Sequence, residues 1–109
     1  MHPDTIEIDV DTLARLRQAV PPPVVLDVRE PRELAVCALE DAVHIPMGEI
    51  PARLDELPAD RQLVVMCHHG VRSMQVTRFL RHQGYTNVRN LAGGIDAWSD
   101  RIDPALPRY

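Results

Sequence analysis

The sequence predicts an α/β fold in which a parallel sheet is covered by helices on both faces. Three observations lead to it. Short apolar segments alternate with helical ones along the chain, the pattern of repeated strand and helix units. One of those segments, LVVMC at positions 63–67, is a continuous apolar run, as expected of a central strand buried on both faces. The length of 109 residues, 45% of them apolar and 26% charged, suits one ordinary globular domain spanning 1–109. Such a chain buries roughly two thirds of the surface it exposes when unfolded.

The elements follow in order. IEIDV, positions 6–10, alternates apolar and polar residues as a short strand does. DTLARLRQAV then places Leu13, Leu16 and Val20 on helical spacing behind a capping aspartate, Asp11, and the prolines at 21–23 stop it. VVLDV, 24–28, is a β-branched second strand, and EPRELAVCAL, 30–39, reads as a helix with Pro31 in its first turn. AVHI, 42–45, is a third short strand and PARLDEL, 51–57, a short helix closed by Pro58. Beyond LVVMC, Val76, Phe79 and Leu80 stand at i, i+3 and i+4, with Arg78, Arg81 and His82 in the last turns and Gly84 as the stop. This is the clearest helix. NVRNL, 87–91, is the fifth strand, and GGIDAWSDR, 93–101, a closing helix that offers Ile95, Trp98 and Ile102 to the core. The tail DPALPRY, 103–109, carries two prolines and is expected to lie extended against the domain.

Composition narrows the function. No apolar run approaches a membrane span, and the acidic start MHPDTIEID has no signal-peptide pattern. Two cysteines without paired spacing suit a reducing cytoplasm, so Cys67 is expected to be a free thiol. A net charge of -4 argues against nucleic acid as a partner, and four aromatic residues make no base-stacking platform. All twelve basic residues are Arg, which leaves no lysine for chemistry. Their distribution is uneven. Between positions 61 and 95 there are five Arg and no acid, a window of +5 that contains Cys67; the rest, with seven Arg against sixteen acids, is -9.

Cys67 ends the central strand and directly precedes the strongest helix. In open α/β sheets, ligands bind outside the carboxyl ends of the strands, where loop amides point outward. A cysteine there has its thiolate stabilised by those amides and by the helix dipole. Gly70 allows the backbone to curl around a bound group. Free cysteines are also among the most buried residue types and often only pack; strand position, glycine, local positive charge and the following helix together favour a nucleophile. A metal is disfavoured because Cys67, His68 and His69 are consecutive, without the spacing that converges on one ion.

CHHGVRS after LVVM, LDVREP about forty residues earlier, HIPMGEI between them and NLAGGIDAW afterwards resemble a single-domain rhodanese-type sulfurtransferase over nearly the whole chain. The resemblance implies a three-layer α/β/α sandwich on a five-stranded, mostly parallel sheet of order 3-2-4-5-1. It also implies that Cys67 takes the outer sulfur of a small anionic donor such as thiosulfate, expels sulfite, and passes the sulfur from a Cys67 persulfide to cyanide, a thiol or a protein sulfur acceptor. The amides of His68, His69, Gly70, Val71, Arg72 and Ser73 would hold the persulfide. No cofactor, metal, nucleic acid or membrane partner is implied, and the molecule is expected to be a monomer or weak dimer. Arg72 either orients the donor or braces the loop. Asp27 and Arg29 match the family's LDVRE motif and are expected to be structural support, through an ion pair or loop-bracing hydrogen bonds. Phosphatases of the same fold carry a longer loop between cysteine and arginine, so the spacing of Arg72, five after Cys67, favours sulfur over phosphoryl transfer. A noncatalytic protein-binding domain is the alternative, which retention of Cys67 and the loop glycine disfavours.

The sequence departs from the family in two places. Asp41 stands where a glycine-like turn is needed, at modest cost, and nearby Cys37, in an apolar helical setting, reads as a packing thiol rather than a second catalytic one. The loop lacks basic residues at its second and third positions, which argues against thiosulfate as the physiological donor. His44 reads as a satisfied strand-end residue, His82 as part of a polar helix face and His2 as terminal.

Overall fold

Each of the five apolar segments forms a strand. In the computed structural model, which describes residues 5–109, these are β1 (Glu7–Ile8), β2 (Val24–Asp27), β3 (Val43–His44), β4 (Leu63–Met66) and β5 (Val88–Leu91). They form one sheet in the order β1-β5-β4-β2-β3, the expected order counted from the other edge. All four strand pairings are parallel. β4 is central, and all four of its residues are buried. His2 lies outside the described residues.

The period-2 alternation of side chains sorts the core into two faces. Val25, Val64 and Met66 pack with Ile8, Leu13, Ile95 and Trp98, beneath α1 (Val10–Leu16) and α4 (Gly94–Arg101). Leu26, Leu63, Val65 and Cys67 pack with Ile50, Val76 and Leu80, beneath a 3-10 helix (Met47–Glu56) and α3 (Val71–His82). The three-layer α/β/α sandwich follows from that sorting.

Several boundaries differ from the sequence reading. α1 is capped by Asp9, whose carboxylate accepts the Thr12 amide at 2.8 Å, and not by Asp11. Val10 is drawn into the core, so the strand ends early and the helix begins one residue after the cap. The helix also ends at Leu16, well before the prolines. The second helix, α2 (Pro31–Leu34), has only four residues, with Pro31 at its start and a capping box between Glu30 and Glu33. Cys37 therefore lies beyond the helix. The Arg29 guanidinium donates to the carbonyl of Cys37 at 2.9 Å, so that carbonyl is held by a side chain of β2's end and not by a continuing helix. PARLDEL is the second half of the 3-10 helix, because Pro51 has no amide to give an α-helical ladder and the backbone kinks at Arg53. Asp41 does adopt the left-handed turn, with φ of 65°.

Candidate active site

Cys67 follows β4 at the carboxyl edge of the sheet, and Gly70 caps α3. Between them the loop closes on the sulfur. The Gly70 amide donates to Cys67 Sγ at 3.1 Å, the Ser73 amide at 3.4 Å and the Ser73 hydroxyl at 3.3 Å. Burial by itself would push the Cys67 thiol up, but hydrogen bonds from the Ser73 hydroxyl and from the Ser73, Gly70 and His69 amides outweigh it and hold the thiol below its ordinary value. The residue is 1% exposed. The loop thus presents the sulfur with hydrogen-bond donors at the amino end of a 12-residue helix, the arrangement that stabilises a thiolate.

The amides point inward because the carbonyls are held elsewhere. The Cys67 carbonyl accepts from the Ile95 amide at 2.9 Å and the His68 carbonyl from the Asp96 amide at 3.1 Å, both in the first turn of α4. The Gly70 carbonyl accepts from Asn90 Nδ2 at 3.1 Å. Gly70 has φ of 106°, and a Cβ there would meet Gly93 N and Leu91 O at 3.3 Å. Gly94 is tighter still, since its Cβ would lie 2.4 Å from the His68 carbonyl oxygen and 2.5 Å from that of Cys67. The NLAGGIDAW stretch is therefore part of the site. Sequence reading used it for resemblance and for a helix, and missed Asn90 and Gly94 as loop supports; the paired glycines at a helix start were the available signal. Gly94→Ala is expected to push the loop off α4, costing about 1–3 kcal/mol of stability and raising the pH at which Cys67 becomes reactive to alkylation. Urea melts and a pH series of iodoacetamide rates check both.

Arg72 has two roles open from sequence. Its guanidinium engages Glu33 of α2 side by side, Nη1 to Oε2 and Nη2 to Oε1, each at 2.8 Å. It braces the loop against α2. The Arg72 hydrogen bonds lead in lowering the Glu33 carboxyl, which sits at about 2 against an ordinary 4.5 despite partial burial, with the Glu30 amide and Tyr109 hydroxyl adding to the effect. A depressed carboxyl stabilises the fold above its unfolded value and loses that contribution as pH falls through its folded value. The stability gap between wild type and Glu33→Gln is thus expected to be full above about pH 5 and to shrink steadily toward pH 2. Urea midpoints at several pH values measure it.

Of the two supports open from sequence, Asp27 and Arg29 form the ion pair, fully buried, with Nη2 to Oδ2 at 2.7 Å and Nε to Oδ1 at 2.9 Å. Arg29 also reaches the carbonyls of Cys37 and Glu33, so the end of β2 is tied to α2. Its own carbonyl pairs with His44 Nε2 at 2.7 Å, as a satisfied strand-end histidine should.

Other expectations are reshaped. The Arg-rich window does not act as one patch: Arg61 stands before the amino end of β4, donating to the Pro22 carbonyl, and Arg81 donates to the Val88 carbonyl at 2.8 Å. The positive field at Cys67 comes from the loop amides and the helix end, with Arg72 the member of that window whose charge reaches the sulfur. His68 and His69 lie with ring centroids 3.8 Å apart. Together with Asp96, which α4 supplies, they bring three potential ligand atoms within 4.8 Å, a convergence that the spacing of adjacent histidines could not reveal. Both Asp96 oxygens, however, accept from Arg108 at 3.0 Å, and the neighbouring helix ends disfavour a cation. Cys37 packs on the α1 and α4 face of the sheet and Cys67 on the other, which suits a packing thiol. The tail turns at Asp103, with the Leu106 amide on its carbonyl, and carries Tyr109 to Arg29 and Glu33; no signal in the sequence placed it there.

Comparison with known proteins gives a consistent result. The family described as the rhodanese-like domain matches residues 9–101. A sulfurtransferase of Allochromatium vinosum is 41% identical over 93 residues, covering 85% of this chain and 87% of that protein. Among solved structures, a rhodanese-like domain protein from Staphylococcus aureus superposes with a TM-score of 0.81 at 31% identity, covering 88% of this chain and 93% of that one. The human single-domain sulfurtransferase TSTD1 gives 0.77 at 27% identity, covering 89% and 97%.

Proposed function

The chain belongs to the family of rhodanese-like domains, and from that premise we propose that it is a sulfurtransferase acting as a single catalytic unit through a persulfide on Cys67. In the first half-reaction the Cys67 thiolate attacks the outer sulfur of a small anionic donor such as thiosulfate. The donor's S–S bond breaks, its electron pair leaves with sulfite, and the sulfur remains as a terminal persulfide anion. In the second, cyanide or a thiol attacks that sulfur, the persulfide bond breaks, and the Cys67 thiolate returns. With cyanide the product is thiocyanate. Both steps balance without an added oxidant, and their separation implies ping-pong kinetics.

The observation that carries this reading is the closure of the loop around one sulfur atom. Three donors, the Gly70 amide and the amide and hydroxyl of Ser73, lie 3.1–3.4 Å from Cys67 Sγ. The His69 amide adds to these donors, and in this reading the amides of His68, Val71 and Arg72 would join them around one additional sulfur, preorganised donors of this kind holding developing charge at no reorganisation cost. Glu33 occupies the Arg72 guanidinium, so backbone amides rather than that side chain receive the donor. Asp27 and Arg29 hold the scaffold. His68 and His69 stand where a thiosulfate specialist carries basic residues, which argues for a physiological donor other than thiosulfate, and a protein thiol is one acceptor the same chemistry allows. No helix among the described residues is long and apolar enough to cross a membrane, and the free thiol the chemistry needs suits the cytoplasm.

The test is to incubate the full chain with thiosulfate, weigh it intact, then add cyanide. A gain of one sulfur atom that cyanide removes is expected. Absence of an adduct with thiosulfate and with an organic persulfide donor overturns the reading. Turnover of an aryl phosphate at a comparable rate would overturn the argument from loop length.

A further inference from the structure

The segment at 103–109 has no part in the chemistry above, yet it is pinned at both ends. Leu106 packs against the apolar face beneath α1 and α4. Arg108 folds back on α4, giving Nε and Nη2 to the two Asp96 oxygens at 3.0 Å and Nη1 to Asp100 at 3.2 Å. That anchor delivers Tyr109 to the loop. Its ring stacks on His68, centroids 3.8 Å apart and planes within 7°. Its hydroxyl accepts from Arg29 Nη1 at 3.0 Å and donates to Glu33 Oε1 at 2.8 Å. Glu33 is also the carboxylate that holds Arg72. Tyr109 therefore joins the first residue after Cys67 to the fifth, directly at His68 and through Glu33 at Arg72, across a loop whose sulfur is 1% exposed.

We infer that Tyr109 is a specificity-determining clasp over the Cys67 loop, admitting small nucleophiles in the closed state and excluding bulky thiols until it is displaced. The inference rests on the sulfur-transfer reading for the identity of those nucleophiles, and on geometry for the clasp itself. Tyr109 is placed to block rather than to bind. Its hydroxyl already gives its proton and accepts one, and one ring face is covered by His68, so its main polar and stacking capacity is spoken for. Burial pushes the His68 imidazolium down and the Tyr109 phenol up, so both rings are neutral near pH 7 and stack without opposing charges. The Arg108 anchor lies toward the surface, with Asp96 the more buried of its two partners. Side chains of Arg108 and Asp100 are half or more exposed, which makes release of the strap easy compared with any movement of the buried pair beneath it.

The experiment compares rates of Cys67 modification by iodoacetamide and by fluorescein maleimide in the full chain, with the modified peptide mapped by mass. In Tyr109→Ala the ratio of bulky to small reagent is expected to rise about tenfold, the effect of removing about 1.4 kcal/mol of closure. Tyr109→Phe keeps the stack and should rise by less; Arg108→Ala leaves the ring intact, frees its anchor and should move the same way as Tyr109→Ala. The ratio of glutathione to cyanide in kcat/KM on the persulfide-loaded protein should follow the same order. An unchanged labelling ratio in Tyr109→Ala and Arg108→Ala, both folded by circular dichroism, overturns the clasp. If labelling shifts while even wild type takes up no sulfur, the clasp stands and the sulfur-transfer reading falls; sulfur uptake with an unmoved ratio gives the reverse.

Discussion

Cys67→Ser is expected to abolish sulfur uptake and to lower thiocyanate formation by at least about 10³-fold, while leaving the fold intact. The serine oxygen would occupy the same nest and accept from the same Gly70 and Ser73 donors. What it lacks is chemistry. An alcohol is protonated throughout the working range, whereas hydrogen bonds hold the Cys67 thiol below its ordinary value in spite of burial. Thiosulfate is attacked at sulfur, where a thiolate is a far stronger nucleophile than an alcohol. The wild-type adduct provides the reference, and intact mass after thiosulfate with a thiocyanate assay measures the loss. Retention of either signal in Cys67→Ser would move the sulfur carrier elsewhere, with Cys37 the first candidate. Its place on the opposite face of the sheet argues against that outcome.

Asp27→Ala is expected to have the largest effect on stability. Removing one partner of a buried ion pair strands the other, at about 3–5 kcal/mol, against a total of about 5–15 kcal/mol for a domain of ordinary stability. Both side chains are fully buried here, and Arg29 additionally holds the Cys37 and Glu33 carbonyls and the Tyr109 hydroxyl. Loss of Asp27 would leave that guanidinium charge without a counter-ion. The urea midpoint should fall with the slope unchanged, since the surface exposed on unfolding is nearly the same. Arg29→Met added to Asp27→Ala removes the stranded charge, so the double variant should be less unstable than the two single effects combined. An additive double variant would mean that the pair is not energetically coupled, and that its contribution lies in the carbonyl contacts alone.

How much of this was legible in the chain alone depended on distance along it. LVVMC read as a central strand because β4 is buried on both faces, and burial on both faces leaves its mark in four consecutive apolar residues. α3 read cleanly from Val76, Phe79 and Leu80, whose spacing encodes the face they bury. The loop between them was legible for the same reason: Cys67 and Gly70 act on atoms within six residues of themselves. The helix over 30–39 is shorter than its pattern suggests, and the Cys37 carbonyl, which a longer helix would use, goes to the Arg29 guanidinium eight residues away. The start of α1 was misplaced by two residues because Asp9 and Asp11 are equally good caps locally, and the choice falls to whether Val10 enters the core.

The site divides along the same line. Cys67, the positive φ at Gly70 and the pairing of Asp27 with Arg29 were determined by the sequence itself, since each involves groups only a few residues apart whose chemistry admits few arrangements. The tertiary structure alone decided that Arg72 meets Glu33, that Asn90 and the Ile95 and Asp96 amides hold the loop carbonyls, that the Arg-rich window is dispersed, and that Tyr109 lies on His68. These contacts join residues from 20 to 41 positions apart. A chain with many arginines and acids offers many equivalent partners at such separations. Which ones meet is set by the parallel order of the strands, which brings the carboxyl ends of β2, β4 and β5 to one edge of the sheet.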